Sequence, residues 1–179
     1  MDFLPLLPIV LALPLVLLLF MRRKPRGGID ASDQLRIVMR ARFEKKRLLS
    51  RAELDLFRVV DAHLPRCGPG LRLMAQPSLG EILTSPNDEA FRCINAKRLD
   101  MLVVDTFGMP VLAIEHQGGG HYQSDAAARD AVKREALRRA GVELLEIFDH
   151  HRPPEICALV SEAIMRSRPK VSPLSTALP

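Results

Sequence analysis

The stretch KRLDMLVVDTFGMPVLAIEHQGGGHYQ, residues 97–123, decides the fold of this chain. It contains two apolar runs, Leu99–Val104 and Val111–Ile114, separated by the turn-forming segment Asp105–Pro110. Short runs rich in β-branched residues that flank turn residues are typical of a β-hairpin. The stretch therefore predicts two antiparallel strands at the centre of the domain.

The register of this hairpin brings two acids together. If the turn is Thr106–Met109, Asp105 pairs with Pro110 and Asp100 lies opposite Glu115. Residues that face each other across two strands have Cβ atoms roughly 5 Å apart. Two carboxylates at that distance repel each other unless a cation or a shared proton lies between them.

Two interpretations of this pair remain open at the level of sequence. Asp100 and Glu115 form a metal or catalytic pair, or they are solvated acids at strand ends, with Asp100 paired to Lys97 or Arg98. Gln117 follows Glu115 by two residues and falls on the same face of an extended strand. Any chemistry on that face would therefore include its amide.

The order Asp100, then Glu115-His116-Gln117, resembles the PD-(D/E)xK nuclease superfamily. A closer resemblance, from about Phe43 to Ile147, is to an uncharacterised bacterial family of restriction-endonuclease-like domains. It is carried by the segments KRLLSRAELDLFRVVDAHLP, KRLDMLVVD, IEHQGGGHYQ and ARDAVKREALRRAGVELLEI. The chain departs from the superfamily pattern at Gln117, where a lysine is usual.

The resemblance implies hydrolysis of DNA phosphodiester bonds with Mg²⁺ or Mn²⁺, with RNA as a second substrate class. Asp100 and Glu115 would hold the metal, and Gln117 would orient the attacking water. Lys133 or Arg129 would contact the scissile phosphate and replace the missing charge. The rival hypothesis is a catalytically silent nuclease fold that binds nucleic acid or protein.

Nucleic-acid contacts are also expected from Lys97, which precedes the first strand of the hairpin, and from Arg129. His121 follows three consecutive glycines, where related families place a histidine near the acidic site, although a solvent-facing loop histidine fits equally well. Arg129 and Lys133 share a helix face, but salt bridges with neighbouring acids would also explain them. The glycines match neither a P-loop nor a dinucleotide fingerprint.

The remaining elements complete an α/β sandwich around a mixed sheet, in the order helix, strand, strand, strand, helix, strand. Glu53 completes a capping box with Ser50, and it is also a candidate third acid of the site. The predicted elements are a helix from Ser50 that stops before Pro65, a strand at Leu71–Ala75, a loop at Ser85–Glu89, a helix at Asp125–Ala140 closed by Gly141, a strand at Val142–Phe148 and a helix at Glu155–Met165.

The N-terminus predicts a membrane anchor. Phe3–Met21 is a run of 19 uncharged residues, about 28 Å long as a helix, and Arg22-Arg23-Lys24 follows it. The positive cluster favours a single-pass helix in the inner membrane with the following domain in the cytoplasm. A cleaved signal or an interfacial helix are the alternatives.

The expected domains are an anchor at 1–21, a basic linker at 22–42, a nuclease-like domain at 43–166 and a disordered tail at 167–179. Linker composition extends over Pro25–Asp33, and the following basic run, Arg36–Arg51, favours anionic lipid headgroups or solvent over a nucleic-acid backbone. The net charge of +5 fits either partner. Three scattered cysteines predict reduced thiols and no zinc site, and the oligomeric state stays open.

Overall fold

A computed structural model describes residues 30–118 and 124–167, except for the side chains of 124–129. The chain divides into two compact units, Met1–Lys46 and Arg47–Pro179. None of the helices in the described ranges combines the length and the apolar character needed to cross a membrane. The predicted anchor at Phe3–Met21, the segment 119–123 and the predicted tail from residue 168 lie outside those ranges.

The first unit contains helix α1, Ala31–Arg40. The Asp30 carboxylate begins it by accepting hydrogen bonds from the Ala31 backbone N–H and the Ser32 hydroxyl, each at 2.7 Å. Helix α1 therefore lies within the segment predicted as a linker, and the linker role itself stays a prediction. An acid at the N-cap satisfies free N–H groups of the first turn and lets a helix start inside a segment of linker composition.

The second unit is built on a four-stranded mixed sheet in the order β1-β2-β3-β4. Its strands are β1 Arg72–Ala75, β2 Met101–Val104, β3 Pro110–Gln117 and β4 Glu143–Phe148. The first two pairings are antiparallel and β3–β4 is parallel. Mixed α/β architecture and the central hairpin are thus confirmed.

Helices α2, Arg51–Cys67, and α6, Pro153–Ser167, cover one face of the sheet. Among the described residues, fourteen buried apolar ones lie there, and they come from both helices and all four strands. The central ones include Val60, Leu112 and Ile114, each with no exposed surface. The side chains between these two helices and the sheet therefore form an apolar core.

Helix α2 begins as predicted and ends later. The Ser50 hydroxyl accepts from the Glu53 N–H at 3.2 Å, and the Glu53 carboxylate accepts from the Ser50 N–H at 2.6 Å, so the capping box is confirmed. The predicted end before Pro65 is wrong. Pro65 cannot donate a hydrogen bond to the carbonyl of Asp61, yet the helix continues through it to Cys67.

The opposite face carries α3, Leu79–Ile82, α4, Asp88–Ile94, and α5, Ser124–Ala140. The predicted loop at Ser85–Glu89 is wrong in its second half. The Asn87 side chain accepts from two backbone N–H groups, those of Glu89 and Ala90, and so starts α4. The apolar core on this face has eight buried residues among those described.

The β2–β3 turn differs from the prediction. Val104 pairs with Pro110 and the register shifts there by one residue, so the predicted pairing of Asp105 with Pro110 is wrong. The reason is the Asp105 carboxylate, which accepts from the N–H groups of Phe107 and Met109 at 2.8 and 2.9 Å and tightens the loop. The shift is confined to the turn end of the hairpin.

Helix α5 connects the parallel strands β3 and β4, which require a crossover of this kind. It ends as predicted at Gly141, whose φ of +72° favours glycine and whose N–H donates to the Arg138 carbonyl at 3.2 Å. Helix α5 packs against β4 and α4, and its Lys133 reaches Glu115 on β3.

Candidate functional site

Asp100 and Glu115 lie across from each other where β2 begins and β3 ends. The register Met101–Ile114 and Leu102–Ala113 follows the prediction, and one step further brings Asp100 to Glu115. The Asp100 carboxylate accepts a hydrogen bond from the backbone N–H of His116 at 2.8 Å. The juxtaposition on which the predicted site depends is therefore present.

Glu115 is a buried acid, with 8% of its surface exposed. Burial first, and then the charges of Asp100 and Asp130, raise its pKa to about 7 against the opposing effect of Lys133. One of its carboxylate oxygens, Oε1, is buried and has no hydrogen-bond partner in the described part of the chain. A carboxylate in this state has a strong tendency to take up a proton or a cation.

Lys133 on α5 supplies one positive charge. Its Nζ lies 2.8 Å from Glu115 Oε2 and 3.6 Å from Asp130 Oδ1, and 17% of its side chain is exposed. The hypothesis that the α5 lysine reaches the carboxylates agrees with this contact. The alternative, salt bridges with neighbouring acids, is also present for Lys133 through Asp130, while Glu135 pairs with Arg138 and Arg139 instead.

Asp100 is less deeply buried than Glu115 but is affected in the same direction. Burial raises its pKa, the His116 N–H works against that rise, and the charge of Glu53 adds to it. Glu53 therefore lies near enough to act on Asp100 electrostatically, while its carboxylate remains in the capping box. The capping role of Glu53 is therefore confirmed, and its role as a third acid of the site stays a prediction.

Gln117 is turned towards β4. Its Nε2 lies 3.4 Å from Glu146 Oε1, which also accepts from Arg134 at 2.7 Å. Glu146 pairs with Glu115 in the parallel register, so these side chains share a face. Glu146 and Arg134 were not predicted as site residues. The alternation within VELLEIF could have placed Glu146 on the face of the sheet that α5 covers.

A basic cleft of about 470 Å³ has Lys133, the ion-pair partner of Glu115, in its lining, whereas neither Glu115 nor Asp100 lines it. Its polar lining consists of Arg92, Lys97, Arg98, Asp130 and Lys133. Lys97, predicted to contact nucleic acid, is thus in the same cleft as Lys133. Arg92 was missed because it belongs to α4, a helix that was not predicted.

Two other predicted residues cannot be located from the described atoms. His121 and the side chain of Arg129 lie outside the described residues. The ring of His116 lies on the other side of β3, with Nε2 at 3.0 Å from Asp149 Oδ1. It belongs to a separate cavity of about 220 Å³ between α2 and α6.

A metal at this site would have to be held by few protein ligands. Within the ranges 30–118 and 124–167, no group of three or more His, Cys, Asp or Glu side chains is arranged to hold a metal ion. Asp100 and Glu115 form a pair of hard oxygen donors. Such a pair suits Mg²⁺ or Mn²⁺, which are commonly bound by one or two carboxylates, waters and substrate phosphates.

Comparison with known proteins places this α/β domain in a bacterial family. The chain belongs to the family described as "Protein of unknown function (DUF2726)", whose model matches residues 45–164. The expectation of an uncharacterised bacterial family is confirmed.

Two relatives illustrate the family. An "Uncharacterized protein" of Haemophilus influenzae is 42% identical over 128 residues, which are 72% of this chain and 67% of that protein. "Uncharacterized protein y4bI" of Sinorhizobium fredii is 46% identical over 116 residues, 65% of this chain and 84% of its own. No solved structure matches the chain significantly.

Proposed function

We propose that this domain is a metal-dependent nuclease that hydrolyses DNA phosphodiester bonds, with RNA as a second class of substrate. The observation that supports it most is the pair of partly desolvated acids, Asp100 and Glu115, beside Lys133 and an open basic cleft. Buried acids with raised pKa values are costly, and clusters of this kind are concentrated at functional sites.

The donor set fits a hard divalent cation. Glu115 Oε1 is a buried oxygen without a partner among the described residues, and the Asp100 carboxylate lies across the strand pair from it. Mg²⁺ or Mn²⁺ held here would activate water and neutralise charge that develops on the phosphate. Asp100 and Glu115 are the residues that would hold it.

The remaining side chains have distinct tasks in this proposal. Lys133 exchanges its contact with Glu115 for one with the scissile phosphate, and it thereby supplies the charge that Gln117 lacks. Gln117, held by Glu146, which in turn accepts from Arg134, orients the attacking water. Lys97 and Arg98 bind neighbouring phosphates along the cleft.

The finer fold and the location belong to the same proposal. The order α2, β1, β2, β3, α5, β4 agrees with a restriction-endonuclease-like domain, and so does the position of the acids at the ends of β2 and β3. Phe3–Met21, followed by three basic residues, would anchor the chain in the inner membrane with the domain in the cytoplasm.

One observation favours a second function, a catalytically silent module that binds nucleic acid. The Lys133 ammonium is 2.8 Å from Glu115, so it already neutralises the carboxylate that a metal would need. If this ion pair is permanent, the basic cleft remains as a binding surface without metal chemistry. The two functions differ in how the domain responds to a divalent cation.

The test is a thermal melt of the purified chain with increasing Mg²⁺ or Mn²⁺, together with cleavage of plasmid DNA. A nuclease is stabilised by its metal, by about 2.7 kcal/mol at a hundred times the Kd. Asp100→Asn and Glu115→Gln should abolish both the shift and the cleavage.

Glu143→Gln is the matched control, because this acid lies on the same sheet but pairs with Arg166 on α6. It should behave as wild type in both measurements. No melting shift and no cleavage in wild type, with salt-sensitive DNA binding retained, would replace the nuclease by the silent module.

A further inference from the structure

Helix α1 has an apolar face that no described residue covers. Leu35, Val38 and Met39 are spaced by three and four residues, so they lie on one side of the helix. Their exposed fractions are 61%, 50% and 77%. All ten residues of α1 are exposed, which leaves this face open to an external partner.

The other side of α1 is charged. Arg36 and Arg40 share a face, and Arg36 forms an exposed ion pair with Asp33 at 2.8 Å. Ile37 is on this polar side, two residues from Leu35 and hence about 200° around the helix. From Ala31 to Arg47 the chain has six basic residues against two acidic ones.

These features favour a lipid surface as the partner that covers the apolar side of α1. A short helix with an apolar side and flanking basic residues suits the boundary between headgroups and acyl chains, where arginine stems extend to reach phosphates. Anionic lipid complements the positive excess of residues 31–47. The proposed membrane segment ends at Met21, nine residues before α1 begins, so the anchor would keep α1 within reach of the same bilayer.

We propose that α1 lies flat on an anionic membrane surface with Leu35, Val38 and Met39 inserted among the acyl chains. The inference rests on the proposed anchor only for bringing α1 to the bilayer, and it is independent of nuclease activity. The helix then fixes the start of the basic segment Arg42–Arg47 at the headgroups.

The chain contains no tryptophan, so a single introduced indole reports its own surroundings. Leu35→Trp and Ile37→Trp are made in the full chain and reconstituted in phosphatidylcholine nanodiscs, with and without phosphatidylglycerol. Acyl chains brominated near the headgroup serve as the quencher. Ile37→Trp is the matched control, because it replaces an equally apolar residue on the opposite side of the same helix.

In discs with phosphatidylglycerol, the emission of Leu35→Trp should shift to shorter wavelength and lose most of its intensity to the brominated lipid. Ile37→Trp should lose little, and quenching of Leu35→Trp should fall when the anionic lipid is left out. Equal quenching of both variants, or none in either, overturns the proposal. A shift without quenching indicates a protein contact, and it overturns the proposal as well.

The anchor is tested separately by whether the chain remains with the discs at high salt and alkaline pH. If it is released, the anchor proposal fails. The same two variants added to brominated anionic vesicles then decide the inference on α1, with the same expected and contradicting results.

Discussion

The two faces of the sheet differ in the kinds of side chain that they bury. Under α2 and α6 the buried residues form one apolar cluster of fourteen. Under α3, α4 and α5 the described cluster has eight, and beside it are Glu115, Lys133 and the basic cleft. Adjacent residues of β3 illustrate this, because Ile114 belongs to the first face and Glu115 to the second. Burial of apolar side chains on the first face stabilises the fold. On the second face, keeping charged groups out of water costs part of that free energy.

The largest expected effect is on the apolar face. Ile114→Ala should lower the free energy of unfolding by about 2–5 kcal/mol, because it leaves a cavity where the side chain has no exposed surface. Chemical denaturation at pH 5 and pH 8 measures it. The loss should be the same at both pH values, and a strong pH dependence would contradict the division between the faces.

The second effect concerns Glu115 and pH. Its folded pKa of about 7 exceeds the ordinary glutamate value of 4.5, so the folded state keeps a proton that the unfolded chain releases. The stabilisation of the folded state by this retained proton is fully present below about pH 4.5 and is lost as pH rises to about 7. It amounts to roughly 3 kcal/mol.

Denaturation of wild type and Glu115→Gln across that pH range isolates the contribution, since the glutamine cannot titrate. The wild type should lose stability relative to the variant as pH rises. Parallel curves would mean that Glu115 is not desolvated as its burial indicates.

The third effect is the coupling between Lys133 and Glu115. Lys133→Met should destabilise the domain more at pH 8 than at pH 5, because the buried carboxylate is charged only at the higher pH. In a double-mutant cycle with Glu115→Gln, the coupling at pH 8 should be about 1–3 kcal/mol. A coupling near zero would show that the ion pair is broken in solution.

The smallest expected effect concerns Glu53 on α2, whose charge acts on Asp100. Glu53→Gln keeps a capping-box acceptor and removes the charge, so stability should change by less than about 0.5 kcal/mol. The pKa of Asp100 should fall, since Glu53 raises it. Carboxyl carbon NMR shifts against pH measure this, and an unchanged Asp100 titration would separate Glu53 from the site.

Sequence reasoning succeeded where local chemistry decides the outcome. The capping box at Ser50, the glycine that ends α5 and the apolar runs of the hairpin each depend on neighbouring residues. The hairpin register was also predictable, although its turn was not. Asp105 satisfies two backbone N–H groups of the turn, and this competes with strand pairing in a way that a pattern of apolar residues does not reveal.

The site was predictable only in part, because its composition depends on tertiary packing. Lys133 could be proposed from its helix face, but its distance from Glu115 depends on the position of the whole helix. Glu146 reaches Gln117 only through the parallel register of β4. Arg92 joins the cleft because Asn87 caps a helix in a segment that has loop composition.

The crossover between β3 and β4 has a consequence for synthesis of the chain. Glu115 leaves the ribosome before Lys133, eighteen residues later, and before β4 exists. At 5–20 residues per second, β3 is for roughly one to four seconds an edge strand without the α5 lysine. An acid pointing inward from an edge strand discourages pairing with another nascent chain. We therefore expect the carboxylate that is costly to bury in the finished domain to disfavour edge-to-edge pairing of its unfinished sheet.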